Sequence, residues 1–569
     1  MRDRKRNTPG DGGRDGHRDG GRGSGAPASP RRGDRGRDGQ GDTMALRVAS
    51  VDGSDGPSGD RPRSPRRRGR RILRGVAISV VLLVVVTAGG AYAYYEHLNG
   101  NIEKGERSSG DSKVAKPKAD AYGHVPLNIL LLGSDSRNSD ENVKLGGHKD
   151  GRGQPPLADV QMLLHISADR KHASLTSIPR DTRVDIPQCT DPKTHKVYPP
   201  TNDIINSSLA RGGPGCTLAT WQNLTHVYID HWMMVDFAGV VDMTTEIGGV
   251  DVCVEKPVWD RPTARVHGGS GLKLTTAGHH TITGKQALQW LRTRDAFGSD
   301  LGRAKAQHMY LNSMMRKMKE QNLFGSPVRL MGLAETATKA LTVSSEIGTP
   351  KDLYDLAMQF KDIPTDQIVT VTMPRIEDPQ NVNHVLPKPG EADHLWSMLQ
   401  HDVAFDSHGK DKSAAKPSSS PSGATAHPAG DIPLTVVNGT AGSNGGAPVP
   451  GRAGGVVTAL TGKGFSQAKA DPVQQPTATT RLNYPEADGA QGRADALKVA
   501  SALHIPSSAV KADADADGIT LLVGADWKQG TDYSASLPKD GSLPDDVDAQ
   551  KGSDDDCMPI YPPYDNLTP

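Results

Sequence analysis

Apolar residues fall along this chain in one long run and a series of short ones. The long run, Gly75 to Tyr95, carries no charged residue and has about the length a helix needs to cross a bilayer. Farther on, Asn128–Leu132, Val160–Ile166 and Ala173–Ile178 are short apolar segments of strand length. Ser167 to Lys171 between the last two has turn composition, which predicts a hairpin. Helical periodicity covers Asn202–Ala210, ended by Gly212-Gly213-Pro214-Gly215, and Met234–Ile247, broken by Gly248-Gly249 before a strand at Val250–Val254. Further helices are predicted over Gly284–Leu291, Gly302–Gln321, Pro327–Leu341 and Lys351–Phe360, with a late strand at Gln367–Met373. Strands alternating with helices around a mixed sheet make an α/β layered domain.

Composition divides the rest. The chain has 569 residues and a formal net charge of +1, an average that hides strong segregation. Residues 1–71 are Arg, Gly, Asp, Ser and Pro with little apolar content, which predicts a disordered basic tail. Arg66, Arg67, Arg68, Arg70, Arg71 and Arg74 abut one side of the apolar run, and Glu96, Glu103 and Glu106 follow the other. The positive-inside rule then puts the N-terminus in the cytoplasm and the chain after the span outside, on a single-pass membrane anchor over 72–95. A cleaved signal peptide is the competing reading; the long preceding tail and the absence of a clear Ala-x-Ala site weigh against it. Tyr92, Tyr94 and Tyr95 suit the outer interface. Residues 96–123 read as an extracellular stalk, 124–406 as the main domain and 407–430 as a Ser/Pro/Ala linker. A small α/β domain is expected over 431–528, opening with a strand at Leu434–Asn438, and an acidic disordered tail over 529–569. The four cysteines are Cys189, Cys216, Cys253 and Cys557. Cys189 and Cys216 flank one loop-rich stretch and are the expected disulfide, against the alternative that all are free. No Cys-x-x-Cys occurs to support a structural zinc site.

Candidate chemistry lies at the ends of the apolar segments. Asp135 follows the first strand and Asp159 opens the second; Arg137, Arg180, Asp181, Arg292, Arg294, Arg303 and Gln307 lie in neighbouring motifs. Ligands of open α/β sheets collect beyond the carboxyl ends of strands. Two converging carboxylates repel unless a cation or an arginine lies between them. Magnesium uses one or two carboxylates with water and phosphate oxygens, and manganese accepts the same donors. Two turn or capping aspartates are the plain alternative. If the segment holding Arg292 and Arg294 is extended, both side chains leave one face, while Arg303 and Gln307 share a helix face. Guanidiniums in number suit phosphate, whereas surface ion pairs with Asp181, Asp295 and Asp300 are the structural alternative. Asp159 and Asp181 are the local candidates for a general base. The arrangement suits phosphoryl transfer, which needs mainly positioning and charge stabilisation.

These motifs resemble the LytR-CpsA-Psr family of cell-wall enzymes over His124 to Phe405. The resemblance rests on Leu132-Gly133-Ser134-Asp135-Ser136-Arg137, Ala158-Asp159, Ser177-Ile178-Pro179-Arg180-Asp181, Ile204-Ile205-Asn206 and Ile247-Gly248-Gly249-Val250. Thr283-Gly284-Lys285-Gln286-Ala287-Leu288, Leu291-Arg292-Thr293-Arg294, Asp300-x-Gly302-Arg303 and Gln307 complete it. The segment from Asp431 to Trp527, with Val436-Val437-Asn438-Gly439-Thr440, resembles the C-terminal domain that accompanies the family in actinobacteria. The resemblance implies a three-layer α/β/α domain with a central mixed sheet. It implies an extracellular phosphotransferase, of EC 2.7.8 type, moving a glycopolymer from a polyprenyl pyrophosphate carrier to peptidoglycan as a phosphodiester, with a pyrophosphatase side activity. It further implies Mg2+ (or Mn2+) on Asp135 and Asp159, with Arg137, Arg180, Arg292, Arg294, Arg303 and Gln307 around the pyrophosphate; Asp181 would orient Arg180. Ala306-Gln307-His308 departs from the family's Arg then Gln-Gln. The family's lipid tail enters an apolar tunnel, which Met309, Met314, Met315 and Met318 would line unless they are ordinary core.

Other signals carry less. Asp513 to Gly518 begins like a calcium loop, but its twelfth position is Gly524, so it reads as a turn. His279-His280 reads as exposed turn residues. The alternative functions are a non-catalytic wall or lipid-carrier binding protein and a transcriptional attenuator. The predicted topology and the lack of a basic helix-turn-helix oppose nucleic-acid binding.

Overall fold

A computed structural model describes residues 66–117, 124–135, 140, 142, 145, 155–264, 266–321, 326–406, 424–442 and 447–567. The basic tail up to residue 65, most of the 407–430 linker and Arg137 lie outside the described residues.

The main domain is built on a mixed eight-stranded sheet. Its strands are β1 (Glu103–Gly105), β2 (Leu127–Ser134), β3 (Ala158–Ile166), β4 (Ala173–Ser177), β5 (His231–Val235), β6 (Leu341–Ser344), β7 (Ile368–Thr372) and β8 (Ala549–Lys551), in the spatial order β1-β6-β5-β2-β3-β4-β7-β8. The β3 and β4 strands form the antiparallel hairpin that the turn between them predicts, and β2 also runs antiparallel to β3, whereas β5 lies parallel to β2 and β7 parallel to β4. Alternation along β2 explains the layers. Leu130 and Leu132 face a core shared with Trp221 and Leu395, from helices Pro214–Thr225 and Glu391–Gln400. Leu127 and Ile129 face the other side, toward Ile363, Met315 and Phe360. Two apolar faces on one sheet require a helical layer on each, which is the three-layer fold.

Five departures from the sequence reading have physical causes. The strand β5 occupies residues taken partly as helix; the helix begins only at Phe237, where the Asp236 carboxylate caps Gly239 N–H. β6 takes Leu341, read as a helix end, because its backbone pairs with β5 and β1. Asn202–Ala210 opens as a strand, Thr201–Ile204, paired with Arg183–Ile186, before a short helix at Ser208–Gly212. The stalk is partly structured. The N-terminal helix runs Arg66–Asn101, beyond the expected span, Leu98 and Ile102 are buried, and β1 joins the sheet edge.

The fifth is the tail. Residues read as disordered return to the main domain: β8 pairs antiparallel with β7, Cys557 is joined to Cys253, and Met558 exchanges backbone hydrogen bonds with Cys253 and Glu255. Met558, Ile560 and Tyr564 enter a core with Val252, Trp290 and Phe297. Acidic composition hid these few apolar anchors, each of which finds a prepared hollow. The expected Cys189–Cys216 disulfide is present. His279 and His280 lie on a strand, Gly278–Ile282, rather than in a turn. The four core methionines divide between two clusters, Met309, Met314 and Met318 in one and Met315 in the other.

A second sheet, of five strands in the spatial order Ala468–Ala470, Leu434–Asn438, Ile519–Val523, Arg481–Pro485 and Val510–Asp513, forms the C-terminal domain with helices Arg452–Gly462 and Gly489–Ala502. Its own core includes Val436, Leu460, Leu521 and Trp527. Asp513 to Gly518 turns between strands, and the Asp513 carboxylate accepts from Asn483.

Two expectations follow. Met558 is fully buried, so Met558→Ala should cost about 2–5 kcal/mol, seen as a lower thermal midpoint that a substitution at exposed Tyr561 does not reproduce. His308 is buried in helix Asp300–Glu320 and bonds Ser177 Oγ of β4 at 3.0 Å through Nε2. Burial pushes its pKa down to about 4. The unfolded chain therefore takes the proton first, and stability is complete above about pH 6.5 and lost as the pH falls toward 4, by up to roughly 3 kcal/mol. Denaturant titrations across that window should show a flatter pH dependence for His308→Gln.

Candidate active site

The site begins at a β-bulge. Gly133 pairs with Val160 and Ser134 with Ala158, so Asp159 is the extra residue on β3. A bulge re-aims the side chain it carries. Asp159 Oδ1 accepts a hydrogen bond from Arg180 Nη1 at 3.0 Å, and Arg180 Nε lies 3.3 Å from Asp181 Oδ2. Arg180 stands in the turn after β4, where Thr182 N–H and Oγ both donate to Pro179 O. Asp181 O accepts from Val385 N, which ties the turn down. Asp135 lies just beyond β2, on the strand beside Asp159. Its Oδ1 accepts from Leu157 N–H at 2.8 Å, and its own N–H donates to Leu157 O.

The other half comes from helix Asp300–Glu320. Ser299 caps its first turn, accepting from Gly302 N–H. A side chain on Gly302 would overlap the Phe297 carbonyl oxygen, so glycine lets this turn close against the preceding loop and sets Arg303 in place. Asp300 holds two guanidiniums: Arg303 Nη2 at 2.8 Å and Arg294 Nη2 at 3.3 Å. The halves form one electrostatic cluster. Arg303 feels Asp300, Arg180, Asp159 and Arg294, while Arg180 feels Asp159, Asp181 and Asp300. Burial depresses the Arg303 pKa, with Arg180 and Arg294 adding to the effect against Asp300 and Asp159. Burial also opposes charge on Arg180, but Asp159 and Asp181 outweigh it and its pKa is raised. Arg303 thus carries a charge that its surroundings disfavour, the kind of charge an anion would stabilise.

The structure corrects two placements. Arg292 and Arg294 are not on an extended segment: Arg292 ends helix Gly284–Arg292, and Arg294 precedes the short helical turn Asp295–Phe297. Arg292 stacks over the Phe237 ring at 5.0 Å and donates to Leu145 O at 3.2 Å. Gln307 is buried, and its Nε2 donates to Leu291 O at 3.2 Å. That bond fastens the arginine-bearing helix to the end of the helix carrying Arg292. Asp300, read as an ion-pair partner of the structural alternative, is the residue that gathers Arg294 and Arg303. His308 joins helix Asp300–Glu320 to β4 through Ser177; its place in the Ala306-Gln307-His308 departure from the family pattern was the only hint in the sequence.

As a metal site the residues present fit in donor chemistry. Asp135 and Asp159 supply hard carboxylate oxygens of the type magnesium takes. Among the described residues no group of three or more His, Cys, Asp or Glu side chains gathers to hold a metal. A cation at these two carboxylates would thus draw further oxygens from water and from a phosphate substrate. A separate cleft of about 570 Å³, lined by Asp393, His394, Asp526, Lys528 and Asp532, shares no residue with the cluster.

Known proteins place the chain. Residues 92–400 match the LytR-CpsA-Psr family model, and residues 431–527 match that of the LytR cell envelope-related transcriptional attenuator. The chain is 25% identical over 332 residues to the cell wall biosynthesis protein LcpA of Corynebacterium glutamicum, covering 55% of this chain and 61% of that protein. It is 29% identical over 265 residues to the polyisoprenyl-teichoic acid–peptidoglycan teichoic acid transferase TagT of Bacillus subtilis, covering 45% and 74%. The match spans 53% of the probable cell wall biosynthesis protein LcpB of C. glutamicum, at 29% identity over 241 residues and 41% of this chain. The solved LytR-Csp2A-Psr enzyme of Actinomyces oris is 19% identical over 53% of this chain and 96% of its own, with a TM-score of 0.38. With a family model matched across more than half its length and a second matched beyond the linker, this chain belongs to the LytR-CpsA-Psr family.

Proposed function

We propose that the chain is a membrane-anchored phosphotransferase that moves a glycopolymer from a polyprenyl pyrophosphate carrier to peptidoglycan outside the cell. The observation that carries this reading is the cluster of Arg180, Arg294 and Arg303, drawn from three elements and held at the strand ends by Asp159, Asp181 and Asp300. The printed name of TagT, a polyisoprenyl-teichoic acid–peptidoglycan teichoic acid transferase, supports the same class of donor and acceptor. In the described state each of these guanidiniums contacts a carboxylate. A pyrophosphate would replace those contacts with charge-assisted bonds of better geometry, strongest for Arg303, the least exposed of the three.

In this reading Arg180 and Arg303 hold the diphosphate, and Arg294 and Arg292 approach it from the loop side. The acceptor hydroxyl oxygen forms a bond to the phosphorus that carries the polymer as the bridging P–O bond breaks. Polyprenyl phosphate leaves, and the acceptor's proton goes to a base, for which Asp159 and Asp181 are the local carboxylates. Magnesium or manganese, when bound by Asp135 and Asp159, would neutralise phosphate charge. The N-terminal helix, the one described helix long and apolar enough to cross a membrane, would keep the site near a lipid-linked donor.

Asp135→Ala should abolish magnesium-dependent phosphate release from a polyprenyl pyrophosphate while leaving the thermal midpoint within a few degrees; unchanged metal-dependent release would remove Asp135 from the site. Arg303→Ala should weaken polyprenyl pyrophosphate binding by about 10- to 100-fold, the loss of a charge-assisted pair. The exposed Arg481→Ala in the C-terminal domain is the comparison, and an equal small effect from both would reduce the cluster to structural ion pairs.

A further inference from the structure

The N-terminal helix does not leave the main domain as a free stalk. Tyr94 Oη donates to Met331 O at 3.4 Å, His97 Nε2 meets Glu335 Oε1 at 3.0 Å, and Asn101 Nδ2 donates to Thr338 Oγ1 at 3.5 Å. The sequence offsets of these pairs are 237, 238 and 237, so the helix Pro327–Ala340 runs parallel to the anchor and in constant register. The same register sets Val328 level with Ala91, inside the uncharged run. Three residues of helix separate that level from Tyr94, about 4.5 Å along the axis. Val328 is 80% exposed and Met331 54% exposed, beside an anchor whose Val80 to Val86 are exposed throughout. Basic and aromatic groups ring the same exit. Arg329 is exposed, Lys351, ion-paired with Asp355, lies within electrostatic reach of Tyr95, and Tyr354 follows it on helix Pro350–Phe360.

We propose that the first turn of helix Pro327–Ala340 is a second membrane contact, with Val328 and Met331 inserted at the level of the lipid headgroups beside the anchor. The proposal rests on the reading of the N-terminal helix as a membrane anchor. Apolar tips with basic residues behind them are the composition of an interfacial helix, whose apolar face enters the bilayer by about 5–10 Å. Tyr92, Tyr95 and Tyr354 would occupy the interface, where amphipathic rings are favoured, and Arg329 and Lys351 would reach lipid phosphates. Two contacts fix orientation where one helix alone permits rotation, so the domain would present one constant face to the bilayer.

The test uses the full chain in phosphatidylglycerol–phosphatidylcholine vesicles. All four native cysteines are in disulfides, so a single introduced cysteine carries a fluorophore at Val84→Cys, Val328→Cys, Met331→Cys or Val382→Cys. Quenching by brominated lipid should be strong at Val84, clear but weaker at Val328, weaker again at Met331 and absent at Val382, which is 84% exposed. Quenching at Val84 with none at Val328 would overturn the second contact and leave the anchor intact. No quenching at either position would overturn the anchor reading and the contact with it.

Discussion

The rest of the main domain depends on a strand buried on both faces. β2 carries Leu130 and Leu132 toward one helical layer and Leu127 and Ile129 toward the other. A slip by one residue would exchange the two sets, and neither layer would fit. Register with β3 and β5 is thereby set, and with it the level at which each strand stops. Asp135 lies where β2 ends, Asp159 where β3 begins and Arg180 two turn residues beyond β4. The bulge at Asp159 is the single break in the β2–β3 register, and it falls at the site.

Charge explains how three guanidiniums stand together. Three guanidiniums would repel one another, yet each contacts a carboxylate: Arg180 with Asp159 and Asp181, and Arg294 and Arg303 with Asp300. These pairs are half-buried, so their net contribution to stability is modest, and their larger effect is orientation. Asp300 belongs to the same helix turn as Arg303, so that turn carries both a guanidinium and the carboxylate that holds it. The His308–Ser177 bond and the Gln307–Leu291 bond keep this helix in one position against β4 and against the helix that ends at Arg292.

Described segments from both sides of the main domain in sequence are fastened to it. The tail supplies β8 at one edge of the sheet, and its Met558, Ile560 and Tyr564 fill a core beside the loop that leads to Arg294. Tyr561 N–H donates to Ala296 O, within the turn between Arg294 and Asp300. At the opposite edge, β1 follows the N-terminal helix and pairs with β6. In sequence, the C-terminal domain lies between the main domain and this returning tail.

Much of this was legible in the residues. The uncharged run, the hairpin of β3 and β4, the later helices, the Cys189–Cys216 pair and the α/β class follow from periodicity and turn chemistry, because those signals are local. The arginine motifs were equally plain as motifs, and the family resemblance rested on them. Local signals failed where pairing partners lie far away. β5 and β6 are strands because they pair with each other, β5 also with β2 and β6 also with β1, and β8 is a strand because β7, more than 170 residues earlier, has an open edge. The backbone of Arg292 and Arg294, the bulge at Asp159 and the gathering role of Asp300 depend on where separate elements meet. The sequence by itself determined which chemical groups were available and which segments bury apolar faces. Only the tertiary structure decided which charges share one site, because side-chain proximity across elements is set by packing and register rather than by neighbouring residues.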